Sequence, residues 1–523
     1  MAVAPHSLAA EAALRILREG GNAIEAMVAA AAAIAVVYPH MNSIGGDAFW
    51  TIYAPGHAVF TIEAAGPAAR AATRAFYTER GLRAIPPRGP LAANTVAGAV
   101  GGWALALEVS ACEWNGRLAV PRLLEDAIWH AGHGIAVTAA QSRTTRDKRA
   151  ELEGQPGFRG HFMPGGKPPE PRSVFVQREL AATLRHLAAK GLDDFYRGEL
   201  ADAIGTALHR EGSPLTRDDL AAYRARVKPP LKIEHSSGTL YNTGLPTQGL
   251  VSLLILALAD RLKLAETEAD SADYVHLLVE ATKRAFLVRD RHVTDPAFVK
   301  TDVQSLLDDE NFLAGHVRAI SRERAAPWGK GRAPADTVWL GVIDGAGRAV
   351  SFIQSLYHEF GSGMVLGDTG ILWQNRGSSF SLDADNLNAL EPGRLPFHTL
   401  NPALALLARG RVMIYGTMGG DGQPQTQAAL FTRTVVFGQE LQQAIAAPRW
   451  LLGRTWGQAT DTLKLESRFS PELIEALRAR GHEIEMLDEF DERVGHAGAL
   501  LLHPSGVIEG AADPRSDGAA AGF

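Results

Sequence analysis

A mixed α and β fold is predicted for this chain, and three patterns predict it. Segments ahead of residue 336 carry apolar residues at helical spacing, whereas beyond it the period switches to 2. The stretch Asn22–Val37 is almost wholly alanine and valine, which suits a helix packed between a sheet and its neighbours. A length of 523 residues, 46% of them hydrophobic, provides for a large core, and by itself suggests several domains.

Ser7–Arg18 reads as an amphipathic helix stopped by Gly20-Gly21, and a second helix runs from Asn22 to about Val37. Phe49–Ile52 and Ala58–Ile62 read as strands joined through Pro55-Gly56. Three prolines make Ile85–Pro90 a loop leading into Asn94–Gly102, and Gly154–Pro171 reads by composition as an exposed, irregular loop. Gln177–Ala189 is a further amphipathic helix. Thr216-Arg217-Asp218-Asp219 opens a helix with a capping box in which Asp stands at the usual Glu position. Tyr274–Asp290 is a long helix with Lys283, Arg284 and Arg289 toward its C-terminal half, where the macrodipole favours cations. Ser321–Asp336 is a polar linker. After it, Val338–Ile343, Ala349–Ser355, Ala403–Ala408 and Val412–Thr417 read as strands, and Thr426–Val436 and Pro471–Arg480 as helices. No repeat is visible, and only the Gly/Ala-rich tail after Pro514 reads as disordered.

Composition excludes several classes of function. Lys and Arg number 52 against 58 Asp and Glu, a net charge of −6 with no basic block, so neither nucleic acid nor an anionic membrane surface is an expected partner. The single cysteine, Cys112, rules out an intrachain disulfide and a cysteine-based zinc cluster, and it reads as a small, partly buried residue. The apolar stretch Ala26–Val37 is too short to span a bilayer. No basic region followed by an apolar core opens the sequence, so a cytoplasmic protein acting on a small molecule is expected.

The run Asp336-Thr337-Val338-Trp339-Leu340-Gly341 places a threonine at the mouth of a strand. Threonine is an ordinary strand residue, so this alone says little. Cleavage of the bond before Thr337 would free an α-amino group that could act as base for its own hydroxyl, with a reference pKa of about 7.7–8.0. Ser355 lies downstream, and Gly419-Gly420 stand in Met-Gly-Gly-Asp-Gly-Gln-Pro-Gln. A glycine pair lets backbone N–H groups approach a developing oxyanion, although it also fits a plain tight turn.

The segment Asp336–Phe380 resembles the start of the small subunit of the gamma-glutamyltranspeptidases, self-cleaving N-terminal nucleophile hydrolases. The resemblance spans nearly the whole chain. It includes Glu19-Gly20-Gly21-Asn22-Ala23-Ile24-Glu25-Ala26, Tyr38-Pro39-His40 through Gly45-Gly46-Asp47, and Asp218-Asp219-Leu220-Ala221-Ala222-Tyr223. It also includes Leu245-Pro246-Thr247-Gln248-Gly249 and Glu280-Ala281-Thr282-Lys283-Arg284-Ala285-Phe286. Several motifs in order are far more specific than any one of them. The resemblance implies an α+β fold, a four-layer αββα sandwich of the N-terminal nucleophile type. It implies one interwoven domain over residues 1–523, cut between Asp336 and Thr337 into a large subunit, 1–336, and a small subunit, 337–523. Thr337 would be cleavage residue and nucleophile, Ser355 its hydroxyl partner, and Gly419 and Gly420 the oxyanion donors, with no cofactor and no metal. The two subunits would stay associated, and a homo-oligomer is left open.

Departures from the family pattern bear on substrate. The family's arginine that holds a glutamyl α-carboxylate has no counterpart in Ile62-Glu63-Ala64-Ala65-Gly66-Pro67. Tyr357 stands where relatives have an Asn, Arg376 where they have a Gln, and Ser379 where an Asp holds the substrate's α-amino group. Their paired serines are replaced by His398-Thr399. An anchor for ammonium is lost and a guanidinium is gained, and arginine grips carboxylate as a two-pronged fork. The pattern resembles the oxamate amidohydrolase branch of the family. Arg88 is a second candidate carboxylate anchor, although an exposed loop arginine fits as well. His358 could shape the pocket or simply be satisfied by nearby backbone. The readings that compete are an amidohydrolase acting on a short carboxylate-bearing amide such as oxamate, a gamma-glutamyltransferase or glutathione hydrolase, an acylase removing a dicarboxylic side chain from a β-lactam nucleus, and a processed but inactive scaffold.

Overall fold

The structure is a computed structural model and describes residues 1–329, 336–453 and 460–523. The part of the expected polar linker that covers 330–335 lies outside the described residues.

Strand parity builds the architecture. In the strand Asp336–Ile343, Val338, Leu340 and Val342 enter a core shared with the helices Ser7–Arg18, Ala23–Val37 and Ala99–Glu113. The alternate residues Trp339 and Ile343 enter a second core with Leu404, Ile414 and Leu500. Those three belong to another sheet, whose opposite residues (Ala403, Ala405, Met413, Tyr415) pack on the helices Gly249–Arg261, Ala272–His292 and Gln423–Phe431. Side chains that alternate between two cores are what a period of 2 requires when both faces of a sheet are covered. The result is helix, sheet, sheet, helix, the expected αββα sandwich.

The first sheet has seven strands in the order Ala519–Ala521, Ala2–Ala4, Asp336–Ile343, Ala349–Tyr357, Asp47–Tyr53, Phe60–Ala64 and Arg226–Lys228. The second has six, in the order Ile508–Ala512, Ala497–Leu502, Arg411–Thr417, Ala403–Leu407, Gly238–Asn242 and Leu231–His235. Each sheet therefore draws strands from both sides of residue 336. Trp339 lies in a slot between the sheets that Gly416 keeps open, since a Cβ there would come within 2.2 Å of the indole.

The helices begin where capping chemistry places them. Asn22 and Glu25 form a reciprocal capping box, and so do Thr216 and Asp219. All fifteen residues of Ala23–Val37 are buried. No described helix is long and apolar enough to cross a membrane.

Three expectations need correction. The Gly/Ala-rich tail is ordered at its end: Ala519–Ala521 pairs antiparallel with Ala2–Ala4. So small a segment buries little by itself, but it completes an edge already formed by the rest of the sheet. The supposed surface loop Gly154–Pro171 contains a helix, Phe158–Phe162, whose buried Phe158 and Phe162 rings lie 5.1 and 4.9 Å from Phe360. Glycine and proline content hid this pair of aromatic anchors. Cys112 is exposed rather than partly buried, on the last turn of the helix Ala99–Glu113.

Candidate active site

The site lies between the sheets, at one end of the central strands of the first. Asp47 and Ser355 are paired across neighbouring strands. Ser355 approaches the next strand where its register with Asp336–Ile343 slips, between the pairs Gln354–Val338 and Tyr357–Asp336. This bulge leaves Ser355 Oγ 3.3 Å from Thr337 Oγ1. Both residues are wholly buried. Bulges commonly re-aim a side chain beside an active site, and this one also sets Tyr357 at φ 84°, an uncommon conformation for a residue with a Cβ. The Tyr357 N–H donates to Ser355 Oγ at 2.8 Å.

Arg376 comes from a short 3₁₀ turn, Arg376–Ser379. Asn375 pins that turn by donating from Nδ2 to Pro87 O and accepting from the His358 N–H. The guanidinium is fully buried. It donates to Ser355 Oγ at 3.5 Å and to Thr399 Oγ1 at 3.4 Å, and it sits 4.2 Å from the centre of the Tyr357 ring. Its Nε has no hydrogen-bond partner among the described residues, and no described carboxylate lies within the 4.0 Å of an ion pair. Burial pulls its pKa down to about 10, against the opposing influence of Tyr357 and Asp47, so it remains a cation near neutrality.

Beneath it lies Asp47, also fully buried, which accepts at Oδ1 from the N–H groups of Gly66 and Gly98 at 3.1 and 2.9 Å. Burial pushes its carboxyl up to about 7, while Arg376 and those N–H donors pull it back. His398 Nε2 is 3.5 Å from Asp47 Oδ2. Burial, with Arg376 beside it, holds the imidazole well below its ordinary pKa and therefore neutral.

Gly419 and Gly420 follow the strand Arg411–Thr417 with φ of 111° and 54°, left-handed values that glycine adopts without strain. Gln248 Nε2 donates to Gly420 O at 2.7 Å and to Thr399 O at 3.1 Å, tying this turn to the Arg376 side of the site. Among the described residues neither glycine N–H has an acceptor, as an oxyanion donor requires before substrate arrives. Three residues on, Gln423 Nε2 reaches Thr337 Oγ1 at 3.4 Å.

Of the residues expected from sequence, Thr337, Ser355, Tyr357, Arg376 and Thr399 are thus linked by direct contacts, and His398 joins them through Asp47. Ser379, half-buried with its Oγ out of solvent, is not among these contacts; it lines a neighbouring cavity of about 320 Å³ with Tyr357, Phe397 and Arg83. Arg88 is not available as a carboxylate anchor, nor is it an exposed loop arginine. It is buried, its Nη1 donates to Glu359 O and Gly361 O at 2.6 Å each, and it pairs with Glu151. It staples the turn after Tyr357. The His358 ring stacks on Tyr357 at 4.5 Å. Asp47 and Gln423 lie within sequence motifs that by themselves give neither residue a role. Outside this site, His276, Glu280 and His482 form the one described group with metal-ligand spacing. Those side chains are already engaged with one another, with Ser321 O and Ala326 N, and with the Lys283 ammonium.

The gamma-glutamyltranspeptidase family matches residues 9–523 of the chain. Oxamate amidohydrolase proenzyme of Klebsiella pneumoniae is 58% identical over 523 residues, covering 100% of this chain and 98% of that protein. Glutathione hydrolase-like YwrD proenzyme of Bacillus subtilis is 42% identical over 527 residues, covering 100% and 98%. Among solved structures, cephalosporin acylase from Bacillus halodurans superposes with a TM-score of 0.89 at 33% identity, covering 99% of this chain and 94% of that one. With this family match over nearly its whole length and its αββα layers, the chain belongs to the gamma-glutamyltranspeptidase family and is an enzyme.

Proposed function

We propose that the chain is a self-processing amidohydrolase that cuts itself between Asp336 and Thr337 and then hydrolyses a short, carboxylate-bearing amide, oxamate, to oxalate and ammonia. Arg376 carries the substrate reading: a wholly buried guanidinium lies 3.5 Å from Ser355 Oγ, with no carboxylate of the protein in ion-pair range among the described residues. A buried charge left uncompensated is costly, and a substrate carboxylate gripped by the fork would neutralise it. The 58% identity to a protein named oxamate amidohydrolase proenzyme supports the same substrate.

In the mechanism, the α-amino group of Thr337 takes the proton from its own hydroxyl as Oγ1 attacks the amide carbon. The N–H groups of Gly419 and Gly420 receive the oxyanion. The C–N bond then breaks, the nitrogen leaves as ammonia with the transferred proton, and water hydrolyses the acyl ester. Processing uses the same oxygen on the carbonyl of Asp336. The two products would remain together, because the strand that begins at Thr337 runs between Ala2–Ala4 and Ala349–Tyr357. We place the enzyme in the cytoplasm.

The test is ammonia release from oxamate measured beside hydrolysis of γ-glutamyl-p-nitroanilide. Faster turnover of the γ-glutamyl donor would replace this reading with a glutathione hydrolase.

Substrate binding should also respond to pH through Asp47. Arg376, which lowers the Asp47 pKa, is neutralised when a carboxylate binds, so the Asp47 pKa rises above about 7 in the complex. Neutral His398 and the un-ionised phenols Tyr196 and Tyr223 do not offset this. Binding then takes up a proton, and KM for oxamate should climb as pH rises above about 7, by up to about tenfold per unit. Asp47→Asn should flatten that climb; an identical KM profile in the variant would exclude the coupling.

A further inference from the structure

Gln423 is the first residue of the helix Gln423–Phe431 and is fully buried, and its carboxamide touches the Thr337 hydroxyl. The orientation of that carboxamide follows from its neighbours. Asn401 donates to Thr399 O at 2.7 Å, which only its NH2 can do, and its Oδ1 accepts from Ser252 Oγ at 2.8 Å. The remaining N–H of Asn401 Nδ2 therefore points at Gln423 Oε1, 3.1 Å away. With its oxygen committed to Asn401, Gln423 turns its NH2 toward Thr337. Hence Thr337 Oγ1 accepts from Gln423 and cannot donate to it.

We propose that Gln423 is a catalytic residue: its side-chain N–H donates to the Thr337 oxygen and stabilises the charge that gathers there during attack, while Asn401 positions it. This rests on Thr337 being the nucleophile and not on the identity of the amide. As the O–C bond forms, the hydroxyl proton passes to the α-amino group, and Gln423 keeps its own protons throughout. The 3.4 Å separation is long for a hydrogen bond, as is common before the reacting complex forms, and would shorten as charge develops. A neutral donor suits this place, because a cation here would depress the pKa of the neighbouring amine and a carboxylate would raise it.

The test uses the full chain carrying Gln423→Met or Gln423→Glu. It follows self-cleavage by denaturing electrophoresis and takes kcat and KM on whichever of oxamate and γ-glutamyl-p-nitroanilide the wild type turns over. Gln423→Met should slow self-cleavage and lower kcat about tenfold to a hundredfold, with KM within about twofold. Gln423→Glu should move the acid limb of the kcat profile to higher pH, which a side chain without electrostatic access to the Thr337 amine would not do. Wild-type kcat in Gln423→Met, or an unmoved acid limb in Gln423→Glu, would overturn the proposal. If Gln423→Met loses its cooperative thermal transition, the Gln423→Glu profile decides alone. A wild type that turns over only the anilide removes oxamate as the substrate, and the variants are then compared on the anilide.

Discussion

Thr337→Ala is expected to yield one uncut chain with no measurable amide hydrolysis, and this is the largest effect any single substitution should have. The hydroxyl is needed twice. It first attacks the carbonyl before it, shifting the acyl group from nitrogen to oxygen, and hydrolysis of that ester frees the α-amino group that serves as base. Without the hydroxyl the base never appears, so nucleophile and base are lost together. Loss of groups that act as such a unit costs on the order of 10⁴–10⁶ in kcat. The fold should survive, since Thr337 occupies a strand end whose neighbours Val338, Trp339 and Leu340 carry the packing on both faces. Denaturing electrophoresis and N-terminal sequencing of the wild type complete the test. A small chain starting at any residue other than Thr337 would refute the mechanism.

The strands were readable before the structure because their residues alternate between two cores, whereas the four-layer arrangement followed only from the family resemblance. The expectation for Val338–Ile343 matches the strand Asp336–Ile343, and that for Ala403–Ala408 matches Ala403–Leu407. Helix limits were readable where a polar cap marked them, as at Asn22 and Thr216. Packing that depends on a distant partner was hidden. The tail strand Ala519–Ala521 exists because Ala2–Ala4 offers an edge, and Phe158 and Phe162 are buried because Phe360 reaches them.

The site divides in the same way. Thr337, Ser355 and Arg376 stand in one stretch of sequence whose spacing could be compared with a family pattern. Asp47 matters through its place beside Ser355 on the next strand and through Gly66 and Gly98, none of them near it in that stretch. Gln423 matters through a chain of amides whose members come from separate elements. Arg88 shows the converse. Its charge suggested a ligand, but two backbone carbonyls and Glu151 use it to hold the turn that carries Tyr357.

Arg376→Gln should raise KM for oxamate about ten- to a hundredfold while self-cleavage proceeds at the wild-type rate. Losing a buried, charged hydrogen-bond partner costs about 1.5–3 kcal/mol, which sets the size of the effect. Processing escapes because it acts on the peptide before Thr337 and involves no substrate carboxylate. Stability supplies a second, independent sign. The guanidinium is buried without an ion-pair partner among the described residues, so a neutral side chain there removes a desolvation cost. Asp47, freed from the pull of Arg376, should stay protonated to higher pH and not be stranded as a lone buried anion. The variant should therefore melt no lower than the wild type, although it binds substrate far more weakly. A damaged fold would instead lower both Tm and kcat. Arg376→Lys keeps the charge but loses the two-pronged geometry, and its KM should fall between the two. Equal KM for oxamate in wild type and Arg376→Gln would remove this arginine from the substrate site.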